Sequence, residues 1–229
     1  MLKKISALCF LFIFLWCRPY LLQAADFTTT KSFSNKIDRC SISVDFPIQG
    51  KLNVIRNIKQ WICDVLETDF PNRLETTDFN RIIQKYCDQY QNDFASGFRT
   101  VEIFRAYEDK EIVTFQADIT DKDSITWITQ DCASFSKEDG HKLSIEDIFN
   151  CSENKIKSLM WQFRGNLPME VKDAQELVIG NVGYIDGWVI VIGPAQNHNG
   201  AIFKIKYETA EPFLHTTKNG GYYHDPTPK

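Results

Sequence analysis

The sequence predicts an α+β protein, built from antiparallel sheets with helices packed on one face and arranged as two small lobes. Three observations carry that expectation. Runs of β-branched and aromatic residues with period-two alternation recur in both halves of the chain, stretches at helical spacing separate them, and Gly, Pro and Asp clusters mark the boundaries.

The chain opens on a targeting pattern. Lys3 and Lys4 precede an apolar run of 13 residues from Ile5 to Cys17, and Leu22-Gln23-Ala24 ends in the small residue that signal peptidase requires. Residues 1–24 therefore read as a signal peptide cleaved after Ala24, which directs the mature chain to the periplasm or the medium. A membrane-crossing helix needs about 20 apolar residues, and Arg18-Pro19 interrupts this run, so no permanent anchor is expected. Trp16 before Cys17 and Leu8 before Cys9 are too bulky for a lipid-attachment site.

Cleavage leaves 205 of the 229 residues and removes Lys3, Lys4 and Arg18, so 23 basic residues face 30 acidic ones and the mature charge is −7. Without clustered Lys and Arg, nucleic-acid and anionic-membrane partners are not expected. No membrane-length apolar run remains in the mature chain. Cys40, Cys63, Cys87, Cys132 and Cys151 remain, an odd number, which requires a free thiol or an intermolecular bridge. Cys63 with Cys87 and Cys132 with Cys151 are candidate pairs, and the connectivity is open.

Residues 25–38 are polar and rich in Ser and Thr, the composition of a flexible leader. A first lobe is expected over residues 39–120. In it Cys40, Ile42, Val44 and Phe46 alternate with Ser41, Ser43 and Asp45 as a half-buried strand that Pro47 ends. From Lys51 to Leu66 the set Leu52, Val54, Ile55, Ile58, Trp61, Ile62, Val65 and Leu66 follows helical spacing. A second helix from Asp78 carries the stripe Phe79, Ile82, Ile83, Tyr86, Cys87, Tyr90 and Phe94, and Gly97 stops it. Three antiparallel strands follow, with turns at Glu108-Asp109-Lys110 and Asp121-Lys122-Asp123.

A second lobe is expected over 121–214. Asp139-Gly140 is a strong turn signal, and Ser144 with Asp147 forms a capping-box pattern opening a short helix. A helix from Ser152 places Ile156, Leu159, Met160 and Phe163 on one face, and Gly165 with Pro168 closes it. Leu177 to Ile179, Trp188 to Ile192 and Ala201 to Tyr207 are strand-like runs. The Gly-, Pro- and Thr-rich segment 215–229 lacks an apolar stripe and reads as a disordered tail.

The segment from Asp139-Gly140 through Leu143 to Asp147-Ile148-Phe149 resembles a motif of the extracytoplasmic domain family shared by the anti-sigma factor RsiV and the deacetylase PdaC. So does the end of the chain, with Val191-Ile192-Gly193-Pro194, Gly200 to Tyr207 and Pro212-Phe213-Leu214. The likeness covers roughly Arg39 to Leu214. Many members carry Gly-Gly-Ala-His ahead of the turn, where Thr129-Gln130-Asp131-Cys132 stands here. The resemblance implies a two-lobed α+β fold and, from RsiV, a lysozyme-binding role.

Candidate chemistry is sparse. The four histidines, at 141, 198, 215 and 224, include no i, i+4 pair, so neither a metal nor another cofactor is expected. Cys132 with His141 could supply a thiol nucleophile and its base, but no third residue to orient them can be named. The connection from Gly193 to Gly200 carries Gln196, Asn197, His198 and Asn199 between two strands and is the expected ligand-binding loop. The sequence thus favours an exported, non-enzymatic binding or sensing domain, with a lysozyme-like basic protein or a cell-wall glycan as partner. The competing reading is an envelope enzyme acting on polysaccharide through Asp131, Asp139 or Asp147.

If the N-terminal reading holds, the chain recovered from a producing cell starts at Ala25 and is found in the periplasm or medium. Amino-terminal sequencing that returns Met1 from a membrane pellet would overturn it.

Overall fold

The alternation that begins at Cys40 buries one face of a strand, and the rest of the first sheet assembles around it. In the computed structural model, which describes residues 28–68, 76–93, 97–123, 126–165, 171–185, 187–194 and 200–215, the first sheet has the order β1-β2-β3-β4-β5. Its strands are β1 (Thr29–Ile37), β2 (Cys40–Gln49), β3 (Phe98–Glu108), β4 (Ile112–Lys122) and β5 (Thr126–Ser136). All neighbours pair antiparallel except β2 and β3. That parallel pair requires a crossover, supplied by helices α1 (Leu52–Val65) and α2 (Thr76–Asp93). Residues 1–24, expected as a signal peptide, lie outside the described residues.

The expected flexible leader is corrected in part. Residues 29–37 form the edge strand β1, paired along its length with β2. An edge strand has one partner and one solvated face, so polar residues suffice, and Phe33 anchors it with Ile37 packed more loosely at its end. Phe33 is buried edge-on against Phe46 and Phe79, with ring centroids at 5.8 and 5.4 Å, while Phe46 and Phe79 stack at 4.0 Å. Pro47 does not end β2. The strand runs on to Gln49, and the register shifts between Thr29 and Thr30 opposite it, a bulge that accommodates the missing N–H.

Helices α1 and α2 bury their apolar stripes on one face of this sheet. Val54, Ile58, Ile62, Phe79, Ile83 and Cys87 join Val44, Val101, Ile103, Phe115 and Phe135 in one core. Leu52 begins the α1 stripe in sequence but stands exposed. The β3–β4 turn is held by a buried ion cluster. Lys137 Nζ lies 3.1 Å from Glu108, both side chains being under 5 % exposed, and it also donates to the Asp109 carbonyl at 2.7 Å. The other Glu108 oxygen meets Arg105 at 2.7 Å, and Glu108 accepts the Thr28 N–H at 2.7 Å while Arg105 donates to the Thr28 carbonyl.

The second sheet, order β6-β7-β8, holds β6 (Val182–Ile185), β7 (Trp188–Pro194) and β8 (Gly200–Lys206), all antiparallel. Leu177 to Ile179, expected as a strand, follows a 3-10 turn at Ala174–Glu176 as extended chain, and β6 lies just beyond it. Every second residue of β7 faces the first sheet, so Ile190 and Ile192 pack with Cys132. Val189 and Val191 face the other way, toward helix α4 (Glu153–Gln162) with its Ile156, Leu159 and Met160. The layers are therefore the α1/α2 helices, the five-stranded sheet, the three-stranded sheet and α4.

The division between the two halves also moves. It does not fall at residue 120, because β4 continues to Lys122 and pairs with β5 from Lys122↔Thr126 to Ile112↔Ser136. Ala133 and Phe135 of β5 belong to the first core, so the second half starts after Ser136. At the C-terminus, helix α5 (Tyr207–Ala210) and a 3-10 turn at Glu211–Phe213 lead to Leu214, which bridges to Phe149. The backbone N–H of His215 donates to the Ile148 carbonyl at 2.9 Å, and the rest of the tail, 216–229, lies outside the described residues.

The seam between the sheets is narrow because its residues are small. Thr114 and Ser134 share a buried hydrogen bond of 2.7 Å, the Tyr184 N–H donates to Thr114 Oγ1 at 3.3 Å, and Gly183 lies over them. A Cβ on Gly183 would come to 2.8 Å from Thr114 Cγ2 and 3.2 Å from Cys132 Sγ. Gly183→Ala should therefore overpack the seam and destabilise by about 1–3 kcal/mol. Gly165→Ala, where φ is +55° and no atom lies within 4 Å of the new methyl, should cost only the backbone term, about 1 kcal/mol. Urea denaturation of both variants checks the order; equal losses would show that the seam yields.

Candidate functional site

The residues from Gly140 to Ile156 are fixed from both sides. Gly140 has φ +85° and sits so close to α1 that a Cβ would lie 2.7 Å from the Asn53 carbonyl carbon, and its own carbonyl accepts from Asn57 Nδ2 at 2.6 Å. After this turn, helix α3 (Ile145–Ile148) starts at the expected capping box. Ser144 Oγ accepts the Asp147 N–H at 3.3 Å, and Asp147 accepts the Ser144 N–H at 2.7 Å. The Asn150 N–H then donates to the Phe213 carbonyl at 2.7 Å, which turns the chain into α4.

Between α3, the first turn of α4 and the extended chain after Ala174–Glu176 lies a groove of about 480 Å³. Ile145, Phe149, Cys151, Ile156, Val178 and Ile179 give it apolar walls. Val178 is 55 % exposed, so its side chain is open to a partner at the edge of the groove. The extended wall is pinned to β7 by the Gly180 N–H to Ile192 carbonyl bond of 2.6 Å and by the Ile192 N–H to Asn181 carbonyl bond of 2.7 Å.

The charges around the groove are Glu146, Glu153 and Lys157. Lys157 Nζ pairs with Glu153 at 2.8 Å along one face of α4, which leaves the exposed Glu146 carboxylate as the net charge of the rim. Cys151 is partly buried in the wall, and burial raises its thiol above the usual range, so it is a poor nucleophile. The arrangement can take an apolar side chain flanked by positive charge.

The sequence-predicted residues fall elsewhere. Gln196, Asn197, His198 and Asn199 lie outside the described residues, although the end of β7 that leads to them adjoins the groove wall, since Gly193 packs against the Val178 carbonyl. Asp131 accepts from Asn181 Nδ2 at 2.7 Å, the Cys132 N–H at 2.8 Å and Trp61 Nε1 at 3.3 Å, a set of bonds that joins β5 to α1 and to the second sheet. Cys132 and His141 are not brought together. Cys132 is fully buried, with its thiol raised by desolvation, whereas His141 is an exposed turn residue.

Asp139 and Asp147 do come together, with His141 between them. His141 Nδ1 is 2.7 Å from Asp139 and Nε2 is 3.8 Å from Asp147. The three side chains are 41–63 % exposed and none lines the groove. Among the described residues no cluster of three or more His, Cys, Asp or Glu has the makings of a metal site. Nor is any helix among them long and apolar enough to cross a membrane. Sequence reasoning missed the groove because its apolar residues carry the same signal as core positions.

No family model matches the sequence, and no curated protein matches it. Solved structures do match in fold. A member of the DUF3298 family from Bacteroides fragilis superposes with a TM-score of 0.58 at 10% identity, covering 86% of this chain and 98% of that one. A DUF3298 family protein from Pseudomonas aeruginosa gives 0.52 at 9% identity with the same two coverages. The fold is therefore shared with a family of unknown function.

The Asp139–His141 contact has a pH signature. The hydrogen bonds from the His141 side chain and backbone hold the Asp139 carboxyl down at about 2. Its depressed value means that the contact contributes above the ordinary carboxylate range and is lost as pH falls through about 2. An NMR titration should place the Asp139 midpoint near there, and His141→Ala should return it upward. An ordinary midpoint in the unaltered protein would show that the pair does not form.

Proposed function

We propose that the chain is an exported, non-enzymatic binding domain of the cell envelope and that it engages a basic protein of the lysozyme type through the α3–α4 groove. The observation that carries this reading is the groove itself, with apolar walls, an exposed Val178 and an acidic rim at Glu146. The signal-like N-terminus and the mature charge of −7 support it. So does the resemblance of the segment around Asp139-Gly140 and of the closing strands to the extracytoplasmic domain of RsiV and PdaC. An apolar anchor seated between the groove walls supplies affinity, and the acidic surface supplies attraction at a distance. The Gln196 to Asn199 connection follows a strand that adjoins the groove wall and is the second element assigned to the contact.

Titration of the protein with lysozyme tests the proposal. Association should slow as salt shortens the Debye length from about 30 Å at 0.01 M to about 8 Å at 0.15 M. Val178→Glu should weaken binding about tenfold or more by placing an unpaired charge against the anchor, and Glu146→Lys should slow association while leaving the melting temperature nearly unchanged. A bound partner should also shield Cys151 from alkylation. Absence of binding at low salt would remove lysozyme as the ligand, and binding of a soluble wall glycan in its place would replace the protein partner with a polymer. Binding unaffected by both groove variants would move the site elsewhere.

A further inference from the structure

Of the five cysteines in the described residues, two meet. Cys40 begins β2 and Cys87 sits in the middle of α2, both fully buried in the first core. Three hydrogen bonds that do not involve sulfur fix the helix over the start of the strand. Arg39, next to Cys40, donates to the Gln91 carbonyl at 3.3 Å. The Gln91 side chain, one helical turn after Cys87, donates back to the Ile37 carbonyl at 2.9 Å. Arg99, the register partner of Cys40, donates to the hydroxyl of Tyr86, the residue before Cys87, at 3.2 Å. With strand and helix braced at these points, the two buried side chains share one core and lie close enough for each thiol to perturb the other.

The other three thiols are placed differently. Cys63 is buried on α1, where its backbone carbonyl accepts from Thr68, Cys132 is walled in by Gly183, Ile190 and Ile192, and Cys151 lines the groove. We propose that Cys40 and Cys87 are a disulfide site, a covalent tie between the start of β2 and helix α2. The inference goes beyond the binding role and does not depend on it.

The chemistry is thiol–disulfide exchange with a small disulfide, RSSR, as oxidant. The Cys40 thiolate attacks one sulfur of RSSR, forming a mixed disulfide and releasing one RS⁻. The Cys87 thiolate then attacks the Cys40 sulfur and releases the second RS⁻. The two protons lost by the cysteines end on the two RSH molecules, so two thiols are oxidised and one disulfide is reduced. Either thiol can be the first nucleophile, and the balance is the same in both orders. Because both sulfurs are buried, exchange precedes closure of α2 over β2.

The test is to refold the full, reduced chain in a glutathione redox buffer, unfold it in denaturant with an alkylating reagent, and map the peptides without reduction. The expected result is one dominant cross-linked peptide joining Cys40 to Cys87, with Cys63, Cys132, Cys151 and, where residues 1–24 are retained, Cys9 and Cys17 alkylated. The oxidised protein should also melt several degrees higher than the same protein in reductant, and Cys40→Ala combined with Cys87→Ala should abolish that dependence. Alkylation of both Cys40 and Cys87, a dominant link between another pair, or a melting temperature indifferent to reductant would each overturn the assignment. Since the buffer supplies the oxidant, such a failure leaves the export reading to be decided by the N-terminal sequence.

Discussion

The constraint on which the molecule depends is the thinness of the seam between its two sheets. Thr114, Ser134, Cys132 and Gly183 present so little side chain that the backbone of β6 can approach β4 and β5 and donate to Thr114. With large residues there, the sheets would stand apart by the usual side-chain layer of about 10 Å and the Tyr184 N–H would lose its partner. Ile190 and Ile192 pack beside it against Cys132. Because the second sheet is located through this contact, so are α4 and the extended chain pinned to β7, and hence both walls of the groove.

A second close approach ties the ends of the first core to the second. Gly140 lies against the first turn of α1, whose own N-cap residue Lys51 provides no side-chain hydrogen bond. The Asp139-Gly140 turn is thus a packing joint as much as a change of direction. It sets where α3 begins, and α3 with its capping box sets the height of Ile145 and Phe149 in the groove.

How much of this was legible follows from the kind of signal each element carries. Period-two burial exposed β2 and the β3–β5 meander, helical spacing exposed α1, α2 and α4, and Ser144 with Asp147 marked α3 through an actual capping box. Strand β1 was illegible because its pairing comes from an edge position and two widely spaced apolar residues, Phe33 and Ile37, a pattern local composition does not register. Strand β6 is four residues long and has Gly183 where an apolar residue would have declared it. The groove was hidden for a different reason. Ile145, Ile156 and Val178 belong to three segments separated in sequence, and only tertiary placement distinguishes a wall residue from a core residue.

The ion cluster at the β3–β4 turn joins residues far apart along the chain. Thr28 is held by Glu108 and Arg105, and Glu108 is in turn completed by Lys137. The parallel pairing of β2 with β3 likewise waits for a strand that begins at Phe98. A polypeptide that emerges from its N-terminus therefore cannot finish its first sheet, or clamp its first strand, until more than half its length is free. Until then the long-range contacts that close the first sheet and clamp its edge cannot form, whatever local helix or hairpin has already appeared.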